Sequence, residues 1–184
     1  MHAKCTRNAR AVFTFSRSSR ALRVDPVALT AQTTAMPSAS LDSPFGPLTI
    51  TEEDGEITAL GWHGGQSDHT PVLDAATAQL AEYFAGTRTD FDLPLRVGSG
   101  LRSAFLQALI EIPYGETRTY GDLAKDLGVN AQSIGQFCGG NRIPILIPCH
   151  RILAADSLGG YSAPGGIETK VALLKHEGAA GLLI

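Results

Sequence analysis

Long apolar runs and paired cysteines are both missing from this sequence, and each absence excludes a class of protein. No stretch of its 184 residues approaches the roughly 18–20 apolar residues of a membrane-spanning helix. The three cysteines, Cys5, Cys138 and Cys149, are too widely spaced to indicate a disulfide framework. A free thiol persists best in a reducing compartment, so we expect a cytoplasmic protein.

Metal and nucleotide motifs are also missing. The five histidines and three cysteines show no paired ligand spacing. His2 and Cys5 lie close together, but no second pair completes a metal site. We therefore expect neither a metal nor a cofactor.

The charges are unevenly distributed along the chain. Residues 1–35 contain six Lys/Arg and one acid, residues 36–100 contain two and ten, and residues 101–184 contain seven of each. Because DNA phosphates repel an acidic surface, we expect any nucleic-acid contact in the second half or in the basic first segment.

Residues 1–40 differ in composition from the rest of the chain. They are rich in Arg, Ser, Thr and Ala and show no sustained periodicity. Three interpretations remain open: a disordered extension, a targeting segment similar to a mitochondrial transit peptide, or a true start near Met36. A short tail is predicted at residues 179–184.

Residues 43–97 predict a small α/β domain. Alternating segments on either side of Glu53-Asp54-Gly55 indicate a β-hairpin. An apolar stripe over residues 72–85 predicts a helix, and residues 87–95 return to an extended pattern. The segment Gly98-Ser99-Gly100 is typical of a linker.

Residues 101–178 predict a mainly α-helical domain. Two short helices, one capped near Thr119 and one at Asn130, are joined by a turn that contains Gly128. This arrangement predicts a helix-turn-helix, although any corner between two helices has the same pattern. A last helix is predicted over residues 167–176.

The segment 145–152 carries most of the chemical information. An apolar run ends at Pro148, which restricts the backbone around it, and Cys149 and His150 follow at once. The thiolate is the reactive form of cysteine, and the adjacent histidine is a candidate base for the thiol proton. From these residues alone, an inert buried cysteine beside a satisfied histidine remains an open alternative.

Four blocks of the sequence match, in order, those of a known family: residues 112–124, 141–151, 159–162 and 170–178. They resemble the O6-alkylguanine-DNA alkyltransferases, also called methylated-DNA–protein-cysteine methyltransferases. The expected fold is an α/β N-terminal domain plus a mainly α C-terminal domain with a helix-turn-helix, winged-helix-like DNA-binding unit.

The resemblance implies a role for each residue of the reactive centre. Cys149 accepts the alkyl group, His150 takes its proton through a water, and Glu177 holds the imidazole in the useful tautomer. Tyr120 donates a hydrogen bond to the leaving guanine, and Asn141 braces the active-site turn. Without the resemblance, Glu177 is equally typical of a solvated surface residue and Tyr120 of a packed aromatic residue.

The resemblance also implies contacts to the lesion from Pro148, Tyr161 and Ser162, and contacts to DNA from Ala131, Gln132, Ser133 and Arg151. Gln132 stands where the family has an arginine that fills the gap left by a flipped base. It carries no charge, and its helix contains no Lys or Arg, so we expect weak DNA binding with a shallow salt dependence. The candidate phosphate contacts are Arg102, Arg118, Lys125, Arg142 and Arg151.

The expected function is single-turnover DNA repair by a monomeric protein without cofactors. The alkyl group on O6 of a flipped guanine in double-stranded DNA moves irreversibly to Cys149. A non-catalytic protein that binds alkylated lesions and flags them for other repair is the alternative, which the presence of Cys149 disfavours. A cysteine hydrolase is a weaker interpretation, since no oxyanion arrangement is evident.

Overall fold

The computed structural model describes residues 36–179. The first part of this range forms a three-stranded antiparallel sheet and one helix. The strands are β1 (Ser38–Leu41), β2 (Leu48–Glu53) and β3 (Glu56–Gly61), in that spatial order, and the helix is α1 (Pro71–Phe84). Leu48, Ile50 and Ile57 are fully buried, so one face of the sheet belongs to the core.

The turn between β2 and β3 forms at the predicted residues. Asp54 and Gly55 both have positive φ, 54° and 78°. A two-residue turn with this geometry matches the right-handed twist of the flanking strands. The hairpin is therefore encoded locally.

Strand β1 lies partly inside the segment that the sequence assigned to an extension. It pairs with β2 from Ser38, opposite Thr51, to Leu41, opposite Leu48. Polar and apolar residues alternate in β1, Ser38-Ala39-Ser40-Leu41, but four residues are too few for this pattern to predict a strand. The ordered fold therefore begins ahead of residue 43. The other predictions for residues 1–35 and 180–184 lie outside the described residues.

The second part of the described range is mainly helical. Its elements are α2 (Gly100–Ile110), β4 (Arg118–Thr119), α3 (Tyr120–Leu127), α4 (Ala131–Gly139), a 3₁₀ turn (Cys149–Arg151), β5 (Ile152–Leu153) and α5 (Ile167–His176). The short strands β4 and β5 pair in parallel, Arg118 opposite Ile152. Since β4 leads into α3 and β5 follows the 3₁₀ turn, this pairing holds the Cys149 turn beside the start of the helix-turn-helix.

Helices α3 and α4 form the predicted helix-turn-helix, and their ends follow local signals. Thr119 and Asp122 form a capping box, and Gly128, with φ of 65°, ends α3. The Asn130 side chain accepts a hydrogen bond from the backbone N–H of Ser133 and begins α4. No helix within residues 36–179 is long and apolar enough to cross a membrane.

Candidate active site

The loop before Cys149 is held by the side chain of Asn141. Its Nδ2 donates to the carbonyl of Ile147 at 2.9 Å, and its Oδ1 accepts from the backbone N–H of Ile143 at 3.0 Å. Ile145 has φ of 72°, a left-handed conformation that is costly for a β-branched residue. The Asn141 side chain thus bridges the two ends of a strained turn.

Cys149 begins the 3₁₀ turn and is only 7% exposed. Burial raises the pKa of its thiol, while a hydrogen bond from Asn141 and the positive charge of Lys170 act in the opposite direction. The resting side chain is therefore a protonated thiol, and it needs a base at the moment of reaction.

The next residue, His150, is fully buried and paired with Glu177. The distance from its Nε2 to Oε1 of Glu177 is 2.7 Å. Burial lowers the pKa of His150, and the hydrogen bond with Glu177 raises it in part. The neutral imidazole then donates Nε2–H to the carboxylate, which leaves Nδ1 as the acceptor. Nδ1 is buried and has no hydrogen-bond partner among the described residues.

Glu177 is the centre of a buried network, not a surface residue. It caps the C-terminal end of α5 and is 4% exposed. Arg151 donates from Nε to Oε2 at 2.8 Å and from Nη2 to Oε1 at 3.0 Å. Burial alone would raise the pKa of Glu177, but the hydrogen bonds from His150 and Arg151 outweigh it and lower the pKa to about 2. The carboxylate is therefore ionised at neutral pH.

Cys149 opens into a cleft of about 370 Å³, within the size range of small-ligand sites. Its wall residues are Tyr120, Gly135, Cys138, Gly139, Cys149, Gly160, Tyr161 and Ser162. The glycines leave room for a flat ligand. Cys138 was not predicted as a site residue; its pKa is raised to about 12 by burial, so it remains a thiol.

Two tyrosines supply hydroxyl groups to this cleft. Tyr120 is the first residue of α3, and its pKa is raised to about 12, mainly by burial and then by the neighbouring Cys138 and Cys149. Burial also raises the pKa of Tyr161, whose hydroxyl has no hydrogen-bond partner in the described part of the chain. Both groups remain protonated and can act as donors at neutral pH.

Gly159 sets the distance between Tyr120 and the loop that follows β5. Its φ is +69°, and a Cβ at this position would lie 2.9 Å from Cε2 of Tyr120. Glycine is therefore favoured both by the backbone conformation and by the close approach of the ring.

Lys170 is a buried residue that the sequence analysis missed. Its Nζ donates to the carbonyls of Ile152 and Leu158, both at 2.5 Å, and of Gly160 at 3.3 Å. Burial lowers the pKa of Lys170 to about 8, against the opposing effect of Cys138 and Cys149. A signal was present in the sequence, because Lys170 shares its helix face with the buried Leu173, Leu174 and Glu177.

Two predicted contact residues lie elsewhere. Arg151 was expected to contact DNA, but it is 5% exposed and its guanidinium binds Glu177 and the carbonyl of Ile112. Its charge is neutralised inside the protein, so it is not available to a phosphate. Pro148 does not line the Cys149 cleft; it lines a separate cavity with Tyr114 and Leu146.

Three of the other predicted DNA contacts lie at the start of α4. Ala131 and Gln132 are exposed, and Ser133 is half-buried with its hydroxyl bonded to Asn130. Gln132 borders an open apolar groove with Tyr120, which also lines the Cys149 cleft. The surface around Gln132 thus leads to the cleft where Cys149 lies.

Within residues 36–179, the His, Cys, Asp and Glu side chains form no group of three or more that could hold a metal ion. The described fold and site define a two-domain protein with a buried thiol, a histidine–carboxylate pair and a helix-turn-helix.

Both domains match known protein families. Residues 36–97 match the family model of the 6-O-methylguanine DNA methyltransferase ribonuclease-like domain, and residues 101–179 match that of the DNA-binding domain. The methylated-DNA–protein-cysteine methyltransferase of Mycobacterium tuberculosis is 39% identical over 150 residues, 75% of this chain and 90% of the relative. The constitutive enzyme of Bacillus subtilis is also 39% identical, over 152 residues, 74% and 92%.

Solved structures agree with these sequence matches. The crystal structure of Mycobacterium tuberculosis O6-methylguanine methyltransferase has a TM-score of 0.69 at 34% identity, covering 82% of this chain and 97% of that one. The structure of Mycobacterium tuberculosis OGT in complex with DNA has a TM-score of 0.69 at 37% identity, covering 78% and 94%. The chain belongs to the O6-methylguanine-DNA methyltransferase family. The resemblance and the fold class predicted from the sequence are confirmed.

Proposed function

We propose that this protein repairs O6-alkylguanine in double-stranded DNA by transferring the alkyl group irreversibly to Sγ of Cys149. The observation that carries the proposal is the buried Glu177–His150 pair, whose histidine follows Cys149 in the chain, together with the cleft that Cys149 shares with Tyr120 and Gly135 of the helix-turn-helix. Family membership and the DNA complex of a relative support DNA as the partner.

The first step is the activation of the thiol. His150 donates Nε2–H to Glu177, so the free lone pair on Nδ1 takes the Cys149 proton through a bridging water. The imidazolium that forms is stabilised by the ionised Glu177. The thiolate exists only during the reaction, since burial disfavours it at rest.

The second step is an in-line displacement at the alkyl carbon. A bond forms between Sγ and this carbon, the bond from the carbon to guanine O6 breaks, and the bonding electrons stay on the purine. The Tyr120 hydroxyl, which its raised pKa keeps protonated, donates a hydrogen bond to the leaving base, and the proton that His150 took from the thiol passes through water to the purine. The net exchange is one alkyl group for one thiol proton.

The base must leave the DNA stack to enter the cleft, at a cost of a few kcal/mol. Tyr161 and Ser162 then contact the flipped guanine, while Gln132 and Ala131 enter the gap in the duplex. The product is a stable thioether, so each molecule acts once. We propose a monomer in a reducing compartment such as the cytoplasm, because this chemistry needs one free thiol and one copy of the site.

Intact-protein mass spectrometry tests the proposal directly. The protein is mixed with excess duplex oligonucleotide containing O6-methylguanine. One methyl group per molecule, located on Cys149, is expected. Cys138→Ser should still gain one methyl group on Cys149, whereas Cys149→Ser should gain none. Tight binding of the lesion without any mass change would instead indicate a lesion-binding protein.

A further inference from the structure

A tyrosine of the first domain reaches the catalytic carboxylate of the second. Tyr83 lies near the C-terminal end of α1, and its side chain is fully buried. Its hydroxyl donates to Oε1 of Glu177 at 2.8 Å, across 94 residues of sequence. Burial and then the charge of Glu177 raise the pKa of Tyr83, so the hydroxyl remains a donor.

The oxygen that Tyr83 contacts is the one that His150 uses. Oε1 of Glu177 receives Nε2–H of His150 at 2.7 Å, Nη2–H of Arg151 at 3.0 Å and the Tyr83 hydroxyl at 2.8 Å. Each donor withdraws electron density from this oxygen. A carboxylate with one donor fewer binds the imidazole N–H more strongly and makes the ring more basic.

Other groups around the pair set the background for this effect. Arg151 and the backbone N–H of Gly115 bind Oε2 of Glu177. The charge of Glu177 adds to burial in raising the pKa values of Tyr114 and Tyr161, and the charge of Lys170 adds to burial in lowering the pKa of His150. None of these groups is altered when only the Tyr83 hydroxyl is removed.

We propose that Tyr83 is a positioning residue for alkyl transfer, which holds Oε1 of Glu177 and thereby limits the basicity of His150. This proposal rests on the proposed function. It gives the first domain a part in activating Cys149, in addition to supporting the second domain.

The test is Tyr83→Phe in the full-length protein, which removes one oxygen atom and keeps the ring. The single-turnover rate of methyl transfer is measured against pH. The rate falls at low pH, where His150 is already protonated, and this fall is the acid limb of the pH profile. A more basic His150 stays protonated to a higher pH, so the acid limb moves to higher pH. We expect a shift on the order of 0.5 pH units to higher pH.

The matched control is His176→Ala. His176 Nε2 donates to the backbone carbonyl of Tyr83 at 2.8 Å and so joins the same two helices without touching the Glu177 carboxylate. The His176→Ala variant should have lower stability, but the acid limb of its pH profile should stay in place. A uniform rate loss in both variants, with no shift in Tyr83→Phe, would overturn the proposal.

Titration of the His150 imidazole by NMR gives a readout that needs no DNA. A raised His150 pKa in Tyr83→Phe supports the role proposed for Tyr83. If the wild-type protein transferred no methyl group, that result would count against the proposed function alone. If Tyr83→Phe does not fold, site-specific 3,5-difluorotyrosine at position 83 replaces it. This stronger donor should shift the His150 pKa downward, and an unchanged pKa would contradict the proposal.

Discussion

Among single residues, Glu177 organises the electrostatics of the second domain. Its carboxylate is buried and satisfied by His150, Arg151 and Tyr83. A buried charge is tolerated only when it is paired and hydrogen-bonded, and the hydrogen bonds from His150 and Arg151 keep this carboxylate ionised. The same bonds connect protein stability to the catalytic base.

This arrangement predicts an acid-dependent loss of stability. The pKa of Glu177 is about 2 in the folded protein, against an ordinary value of 4.5. Its contribution is therefore complete above about pH 4.5 and is lost as the pH falls toward 2, on the order of 3 kcal/mol in all. Glu177→Gln should be less stable at neutral pH and should lose less stability across that window.

Denaturant unfolding between roughly pH 6 and pH 2.5 covers the range over which a carboxylate titrates. It measures both the lower stability of Glu177→Gln near neutral pH and its smaller loss of stability in acid. Glu168→Gln, on the exposed first turn of the same helix, is the control for removing one charge. An equal pH slope in the wild type and Glu177→Gln would show that the buried network does not hold the proton off Glu177.

A second prediction at the scale of single residues concerns the hydrogen bonds of Lys170. Lys170→Met keeps the apolar stem but removes three hydrogen bonds, one to a backbone carbonyl of β5 and two to carbonyls of the loop that follows it. Buried carbonyls without donors cost about 1–3 kcal/mol each at most. We expect lower stability, faster amide hydrogen exchange at residues 158–162 and slower methyl transfer. Lys175→Met, exposed on the same helix, should behave like the wild type.

At the scale of elements, the helices could be predicted from the sequence because the signals that begin and end them lie close to each helix end. The capping box at Thr119, the left-handed Gly128 and the cap at Asn130 are all encoded within a few residues. Helix α5 has the predicted bounds, Ile167–His176. Strand β1 was not predicted, because it is short and is stabilised by pairing with β2, from Ser38 opposite Thr51 to Leu41 opposite Leu48.

The residues of the site likewise fall into those visible in the local sequence and those that depend on distant contacts. The position of Cys149 beside His150 is visible in the sequence, and family resemblance indicated Glu177. The ion pair of Arg151 with Glu177 and the contact of Tyr83 were not visible, since they join residues 26 and 94 positions apart. Local patterns do not specify such contacts, so exposed and buried arginines look alike in the sequence.

Helix α4 allows a prediction about DNA binding. Gln132→Arg adds a cation at the exposed start of this uncharged helix. It should strengthen binding to duplex DNA and steepen the slope of log affinity against log salt by about one phosphate contact. Gln136→Arg adds the same charge one turn further along and is the control for position. Equal gains from both variants would mean that net charge matters and the position of Gln132 does not.

For the whole molecule, the distribution of charge opposes DNA binding. Residues 36–184 contain nine Lys/Arg and seventeen acids. Of the second-domain cations, Arg151 and Lys170 are buried, and Arg118 is paired with Asp126. The described part of the chain therefore offers DNA few free cations, while residues 1–35 carry six Lys/Arg and one acid.

A variant that begins at Met36 separates these contributions. Removing the basic segment increases the net negative charge, so affinity for duplex DNA should fall at low salt. Long-range repulsion is screened over about 10 Å at 0.1 M salt, so the difference from the full chain should shrink as salt is added. At saturating DNA the methyl-transfer rate should be unchanged, because every residue of the proposed site lies between Tyr83 and Glu177, outside the removed segment. A lower rate at saturation would show that the first 35 residues also act on the chemistry at Cys149.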